Sequence, residues 1–428
     1  MSHALLITFY FPPAGGPGVH RWLRFSKYFK ENNWDLTVYC PENAAWPVID
    51  YELEKEIKSD ITILRRPIFE PQKYIQKKAG FEGGAGLGSQ KKKGILKRLM
   101  IWARGNLFIP DARRFWINPS YRYLKTYLTD HPEITHIIST GPPHSMHLIA
   151  QKLKRKFPQL KWVADFRDPW TEIDYYQELL PGKCADKRQK ALELSVLKEA
   201  DLVVSIGADS AEGLARIGGR KVEIVTNGFV FPEFNTEDMQ LDSKFTIAHF
   251  GSMAASRNPE VLWSALSDLV KENSQLAQEL EINLYGSVDF NVIESIEKND
   301  LIKFFSGVKN VTHGESLTIQ RQTQLLLLVA NKSINSKGIL TGKFFEYLGA
   351  KRPMVVVGAK DSDLEQIVQH TNAGHFVGYD ELESMKNYIR LAFESYLNNE
   401  LRSNPINTEE FHSKVLCRKF LRLMEAID

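Results

Sequence analysis

The stretch Gly338-Ile339-Leu340-Thr341-Gly342-Lys343-Phe344-Phe345-Glu346-Tyr347-Leu348, followed by Arg352-Pro353-Met354-Val355-Val356-Val357, reads as a small-residue turn that opens a short helix and leads into a buried strand. Thr341 is a good N-cap, and Gly342 lets a ligand approach the backbone closely. Unpaired amide groups at a helix start attract phosphate. Lys343 adds a mobile cation. One turn on, Glu346 can accept two hydroxyl hydrogen bonds of the kind a ribose offers. Diphosphate beside ribose is a nucleotide. The same residues also suit an ordinary capped helix packed on a sheet, so the rest of the chain has to decide.

On both sides of this stretch, short Val/Ile/Leu runs alternate with amphipathic segments, the pattern of parallel sheets covered on both faces. In the first half, strands are expected at 4–11, 35–40, 61–64, 135–140, 161–166, 201–206 and 221–225, with helices near 18–31, 118–130, 144–156, 184–199 and 208–216. In the second, strands fit 245–250, 280–285, 302–305, 324–330, 353–357 and 374–377, and helices fit 258–272, 289–298, 314–322, 341–350, 361–369 and 380–397. The fold class is therefore α/β, with two doubly wound, Rossmann-like domains facing across a cleft. Residues 1–228 form the first domain, with a flexible basic insertion at about 75–118, and 229–243 a linker. Residues 244–408 form the second, and a last helix at 409–428 is expected to pack back on the first. Ligands of such folds bind beyond the carboxyl ends of the strands.

The 428 residues are 25% charged and 43% hydrophobic, ordinary for a globular chain with substantial cores. Cys40, Cys184 and Cys417 are far apart and lack metal-ligand spacing, which argues against a disulfide framework and fits a reducing cytoplasm. Ala4 to Phe11 has no basic region before it and runs into Pro12-Pro13, so it reads as a first strand rather than a signal peptide. The run Leu325 to Ala330 is too short to span a bilayer. Net charge is +3 but unevenly spread: residues 231–428 hold 20 basic and 27 acidic groups, and residues 1–230 hold 35 and 25. A basic first half favours phosphates or acidic surfaces.

Five loops beyond predicted strands could carry chemistry. Phe11-Pro12-Pro13-Ala14-Gly15-Gly16-Pro17-Gly18 permits close approach at Gly15 and Gly16, or is a rigid turn; it lacks the Gly-x-Gly-x-x-Gly spacing of a dinucleotide site. Ser139-Thr140-Gly141-Pro142-Pro143-His144 could meet sugar or phosphate on the acceptor side, with His144 either structural or functional. Asp165-Phe166-Arg167-Asp168-Pro169-Trp170 places two carboxylates and an arginine at a strand end, which is costly unless they are paired or used. One reading is an Arg–Asp clamp. The other puts Asp168 toward the acceptor, with Trp170 as a stacking face for a sugar. His249 to Pro259 contains Gly251 and Ser252, which leave room, and Arg257, which can bind diphosphate or be a solvated surface arginine. Ser306-Gly307-Val308 could cover a nucleobase with Val308, or be plain loop packing.

Two motifs are set aside. Gly83-Gly84-Ala85-Gly86-Leu87-Gly88 has the composition of a phosphate loop but no preceding strand and no Lys-Ser/Thr ending. Asp361-Ser362-Asp363 resembles a metal-binding Asp-x-Asp, but Ser362 with Glu365 makes a capping box, so no essential metal and no cofactor are expected. Residues 91–125 hold ten Lys or Arg, among them Lys91, Lys92, Lys93, Lys97 and Arg98, against the single acid Asp111. Ile95, Leu96, Leu99, Trp102 and Ala103 fall on one helical face. Such a helix either lies in the headgroup region of an anionic membrane or packs its apolar face on the first domain. Nucleic acid is not expected, because no stacking platform or reader motif is present.

Taken together, Phe-Pro-Pro-Ala-Gly-Gly, Asp-Phe-Arg-Asp-Pro-Trp, Thr226-Asn227-Gly228, Gly251 with Arg257, Gly307-Val308 and Thr-Gly-Lys-Phe-Phe-Glu-Tyr-Leu resemble, in this order, bacterial family 4 glycosyltransferases of the GT-B fold, which build surface polysaccharides and lipid-linked glycans. The resemblance implies a nucleotide-sugar donor, held through Arg257 and Lys343 at its diphosphate and Glu346 at its ribose. It also implies a glycan or lipid-linked acceptor and retaining chemistry in the cytoplasm, peripherally at the inner membrane face. The chain departs from the family at Gly338, where a glutamate is usual, and at Arg167 and Asp168, where a histidine is often found. That leaves Asp168, ahead of His144, as the polar group nearest the reacting carbon. An epimerase of the same architecture and a non-catalytic nucleotide-sugar or membrane-binding subunit are the alternatives.

Overall fold

The computed structural model describes residues 2–71, 95–230, 240–333 and 335–427. The chain forms two compact units, Met1–Gly228 with Ser413–Asp428, and Phe229–His412. The Gly83 to Gly88 run, Lys91, Lys92 and Lys93 lie outside the described residues, as does the side chain of Lys97.

The first unit is built on seven parallel strands, β1 (Ser2–Ile7), β2 (Trp34–Pro41), β3 (Thr62–Arg66), β4 (His136–Gly141), β5 (Lys161–Phe166), β6 (Leu202–Ser205) and β7 (Glu223–Ile224), in the order β3-β2-β1-β4-β5-β6-β7. Successive side chains of a strand point to opposite faces, and both faces are buried here. Leu5 and Ile7 share one core with Ile137, Trp162, Ala164 and Val203. Ala4 and Leu6 share the other with Val38, Ile138, Val163 and Val204. The first core is covered by α3 (Arg114–Asp130), α4 (Ser145–Lys156), α5 (Lys183–Glu199) and α6 (Ala208–Gly218). The second is covered by α1 (Pro17–Ser26) and by the last helix of the chain, Ser413–Glu425. Phe420 of that helix meets Trp22 edge to face at 5.3 Å. A further helix, α2 (Ile95–Leu107), precedes α3.

The second unit has six parallel strands, β8 (Phe245–Phe250), β9 (Leu280–Tyr285), β10 (Phe305–Lys309), β11 (Leu325–Val329), β12 (Met354–Gly358) and β13 (His375–Gly378), in the order β10-β9-β8-β11-β12-β13. Ile247, Leu327 and Val355 point into one core, with α7 (Glu260–Glu272), α8 (Ser274–Glu279), α9 (Phe290–Lys298) and α13 (Leu382–Leu397). Ala248, Leu326, Leu328 and Val356 point into the other, with α11 (Gly342–Ala350) and α12 (Asp363–Thr371). The helix α10 (His313–Gln322) lies between β10 and β11 in sequence, and the last helix, α14, is Ser413–Glu425. Each sheet reverses its winding once, between β1 and β4 and between β8 and β11. Connecting loops diverge at such a point, and a crevice opens at the carboxyl ends.

Two expected strands differ. The expectation of a strand at 4–11 overruns β1, because Thr8 Oγ donates to the Tyr10 carbonyl at 3.1 Å and turns the chain after Ile7. The expected strand at 302–305 is a 3-10 turn at Ile302–Phe304 that buries Phe304, and the strand itself is β10. Val308 therefore sits inside an edge strand paired with Leu284, not in a loop beyond one. Gly307, at φ +91°, marks the irregular register beside it. Among the described residues no helix is long and apolar enough to cross a membrane.

Candidate functional site

The reversal between β8 and β11 brings most of the expected donor residues together. Gly251 follows β8 at φ +112°, a conformation suited to glycine. Its amide donates to the Tyr285 carbonyl at 2.7 Å. A Cβ on Gly251 would lie 3.1 Å from Cε of Lys343, so the lysine stem crosses this glycine. Behind it stands Gly286 at φ +115°, where a Cβ would come within 2.6 Å of the Gly251 carbonyl oxygen. Two glycines at neighbouring strand ends thus make the floor on which Lys343 rests.

The opposite wall is the start of α11. Thr341 caps it, its hydroxyl accepting the Lys343 amide at 3.1 Å. That amide is therefore engaged by the cap. Beside Gly342, no described atom lies within 4 Å of the place a Cβ would take, so the backbone there is approachable. Lys343 Nζ pairs with Glu346 Oε2 at 2.8 Å, one helical turn on. A nitrogen of His313, at the start of α10, lies within 4.8 Å of a Glu346 carboxylate oxygen. The helix is held to the sheet by Tyr347, whose buried hydroxyl accepts the Phe250 amide at 3.0 Å and donates to the Leu327 carbonyl at 3.4 Å.

Arg257 ties the two diverging loops to each other. Its Nε donates to Asn331 Oδ1, just past β11, and its Nη1 to the Ser252 carbonyl at 3.1 Å. The Lys332 amide adds a bond to the Ser256 carbonyl at 2.8 Å. Part of the guanidinium is thus occupied in shaping the loop. Under this floor His249 donates from Nδ1 to the Leu327 carbonyl at 2.9 Å. Burial, with Arg257 and Lys343 near, lowers its pKa to about 4, so it is neutral at physiological pH. Val308 lies off to the side on β10, though the adjoining Lys309 carbonyl accepts the Gly286 amide at 2.8 Å.

Sequence reasoning missed His313, Asn331, Tyr347 and Gly286. Gly286-Ser287 repeats, after β9, the Gly251-Ser252 that follows β8, and that echo was a usable signal. His313 and Asn331 carried none, since only the packing of α10 and the β11 loop places them.

The loops of the first unit are more fully committed to structure. The Gly15 amide donates to the Val48 carbonyl at 2.9 Å, and a Cβ on Gly15 would meet Val48 at 2.8 Å. Gly15 thus packs against its own unit and does not present its amide to a ligand. Gly16, at φ +84°, precedes the Pro17 that starts α1, and a proline removes one amide from the helix start.

Trp170 also departs from expectation. It is 3% exposed, stacked on His144 at 4.5 Å, and its Nε1 donates to Gln189 Oε1 at 2.9 Å. Its ring has no face left for a sugar. His144 is buried in that stack, and desolvation together with His147 and Arg167 holds its pKa well below the usual histidine range. The same causes, desolvation first, lower His147 to about 3.

The Arg–Asp clamp exists, with a different arginine from the one next door. Asp165 is fully buried and pairs with Arg21 of α1 at 2.9 Å. Arg167 instead donates to the Gly18 carbonyl at 2.7 Å and to the Pro142 carbonyl, joining the loops after β1 and β4. Asp168 alone reaches the surface. Protein crowding and Asp174 raise its pKa against the pull of Arg167; its exposure keeps it available to a partner molecule all the same.

No protein-family model matches the chain. No curated protein matches it either. Solved structures do. HepE from Anabaena, in complex with UDP, superposes with a TM-score of 0.61 at 12% identity, over 100% of this chain and 100% of that one. The lipopolysaccharide outer core galactosyltransferase WaaB does so with a TM-score of 0.59 at 11% identity, over 100% and 99%. A putative UDP-N-acetylglucosamine 2-epimerase from Listeria monocytogenes gives 0.53 at 10%, over 99% and 96%. At such identities the likeness is one of fold: the chain has the GT-B fold of these nucleotide-sugar proteins.

Proposed function

We propose that this chain is a glycosyltransferase that moves a sugar from a nucleoside-diphosphate sugar to a glycan or lipid-linked glycan, with the unit around β8 to β13 holding the donor. The observation that carries the reading is the convergence of Lys343, Glu346, Gly251 and the open Gly342 helix start at one sheet reversal. It is supported by the UDP held by HepE and the galactosyltransferase title of WaaB, both of this fold.

In this reading the diphosphate lies over Gly251 and Gly342, and the ribose hydroxyls bond to Glu346. Lys343 then exchanges its carboxylate partner for a phosphate. Lys343, Arg257 and the amides at the helix start neutralise charge that grows on the leaving diphosphate, which is the larger part of such catalysis. Reaction on one face of the sugar lets the departing phosphate take the acceptor's proton. Retention of configuration therefore needs no strong protein base, and the cations of the site stand in for a metal. Asp168 is the acceptor-side carboxylate, in the unit formed largely by residues 1–228.

The epimerase reading shares this fold and makes the opposite prediction about the acceptor. Incubation with UDP- and GDP-sugars, followed by NMR of the sugar and assay of free nucleotide, separates the two. We expect nucleoside diphosphate release that rises with added glycan or lipid-linked acceptor and no change at sugar C2. Epimerised sugar formed without acceptor would reverse the assignment.

A further inference from the structure

The helix α2 turns an apolar face outward. Its inner side is fixed to the segment before α5. A Cβ on Gly105 would fall 2.1 Å from the Leu179 carbonyl oxygen, and Asn106 bonds both the Leu180 carbonyl and the Gly182 amide, at 2.9 and 2.7 Å. Ile101 shares that half-buried side. On the remaining arc, Leu99 is 56% exposed, Trp102 43% and Leu107 56%, with Met100 beside them. At 3.6 residues per turn, Trp102, Leu99, Leu107 and Met100 span an arc of roughly 160°. Arg98 borders one edge of that arc and Arg104 the other, both exposed. Phe115, at the start of α3, extends the apolar surface past the end of the helix.

We infer that this face of α2 docks the protein on an anionic lipid surface, with Leu99, Met100, Trp102 and Leu107 entering the headgroup boundary and Arg98 and Arg104 meeting lipid phosphates. A continuous apolar strip on a soluble surface marks an interaction site. Charge selects the partner: between residues 91 and 125 there are ten basic residues and one acid. Lys183 and Lys187, exposed at the start of the neighbouring α5, add to the positive field, which Glu178 only partly offsets. Two copies meeting on this face would set arginine rows of like sign against each other, since a twofold contact pairs a patch with itself. A lipid surface supplies both the apolar layer and the opposing charge. The inference does not depend on the sugar chemistry, and vesicles without any nucleotide sugar test it.

Trp102 provides the readout, because it is the exposed tryptophan among eight; Trp46 is half-buried and the other six are buried. The full chain is mixed with phosphatidylcholine vesicles, with or without phosphatidylglycerol, some carrying brominated acyl chains that quench indole fluorescence. We expect binding that needs phosphatidylglycerol, falls with added salt, and quenches the protein's fluorescence. Arg98→Glu with Arg104→Glu should weaken it on the order of a hundredfold. Leu99→Glu with Met100→Glu should abolish it. Trp102→Phe should keep binding but lose most of the quenching. All these positions are exposed, and near-ultraviolet circular dichroism checks that each variant is folded. Equal binding to neutral vesicles, unchanged binding of the double arginine variant, or quenching that survives in Trp102→Phe would overturn the inference. So would a lipid-free dimer that the same substitutions dissociate.

Discussion

Replacing Asp165 by alanine is expected to destabilise the N-terminal unit by about 3–5 kcal/mol, the range for breaking a buried ion pair from one side. The carboxylate is wholly enclosed, with Arg21 Nη2 at 2.9 Å and Nε at 3.3 Å. Trp22 Nε1 and the Thr140 hydroxyl also donate to it, at 2.9 and 2.8 Å. Alanine would leave a buried guanidinium without its counter-charge and two further donors without an acceptor, each costing free energy of its own. Arg21 also donates to the Thr226 carbonyl at 2.8 Å, so the damage should spread to the turn at the end of the unit. Asp165→Asn keeps the shape and should cost less. Urea unfolding followed by tryptophan fluorescence reports this unit selectively, because all tryptophans but Trp263 lie within it. A loss below about 1 kcal/mol would mean that the clamp is a surface-like pair of little worth.

Lys343→Ala should weaken nucleoside diphosphate binding about a hundredfold, equivalent to roughly 2–3 kcal/mol for a charge-assisted hydrogen bond. Two effects act in the same direction. The cation that attracts the diphosphate is lost, and the nearly buried Glu346 carboxylate, now without its 2.8 Å partner, repels the incoming phosphates. Glu346→Gln separates the two. It releases Lys343 toward phosphate while removing charge from the group proposed to hold the ribose, so its loss should stay within about tenfold. Calorimetry with UDP and GDP measures both variants. Equal, large losses in the two would show that the lysine acts only through the carboxylate, and no loss in either would remove both from the donor site.

The sheets were legible in the sequence because they are buried on both faces, and continuous runs such as Leu325 to Val329 and Met354 to Val357 have no other use in a soluble chain. The exception is instructive. β10 is an edge strand with Val308 44% exposed and a glycine at positive φ, so it lacks the apolar run that marked the others, and the neighbouring Ile302 to Phe305 took its place in the reading. The cap at Thr341 was visible because capping is local chemistry. The partner of Asp165 was not: Arg21 lies 144 residues away, and nothing near either residue announces the pairing. Trp170 misled for a related reason. A tryptophan after a proline at a strand end suits a sugar platform, and only the fold shows His144 already stacked on it.

The account rests on a diphosphate held where β8 and β11 part, by the loop at Gly251 and the start of α11. Hydrogen–deuterium exchange of the full chain with and without UDP and GDP tests that most directly. The expected result is slowed exchange in 251–257 and 341–347 with one of the two nucleotides, and loss of that protection in Lys343→Ala. Binding that leaves both segments unprotected, or that slows exchange only in the unit containing β1 to β7, would contradict it.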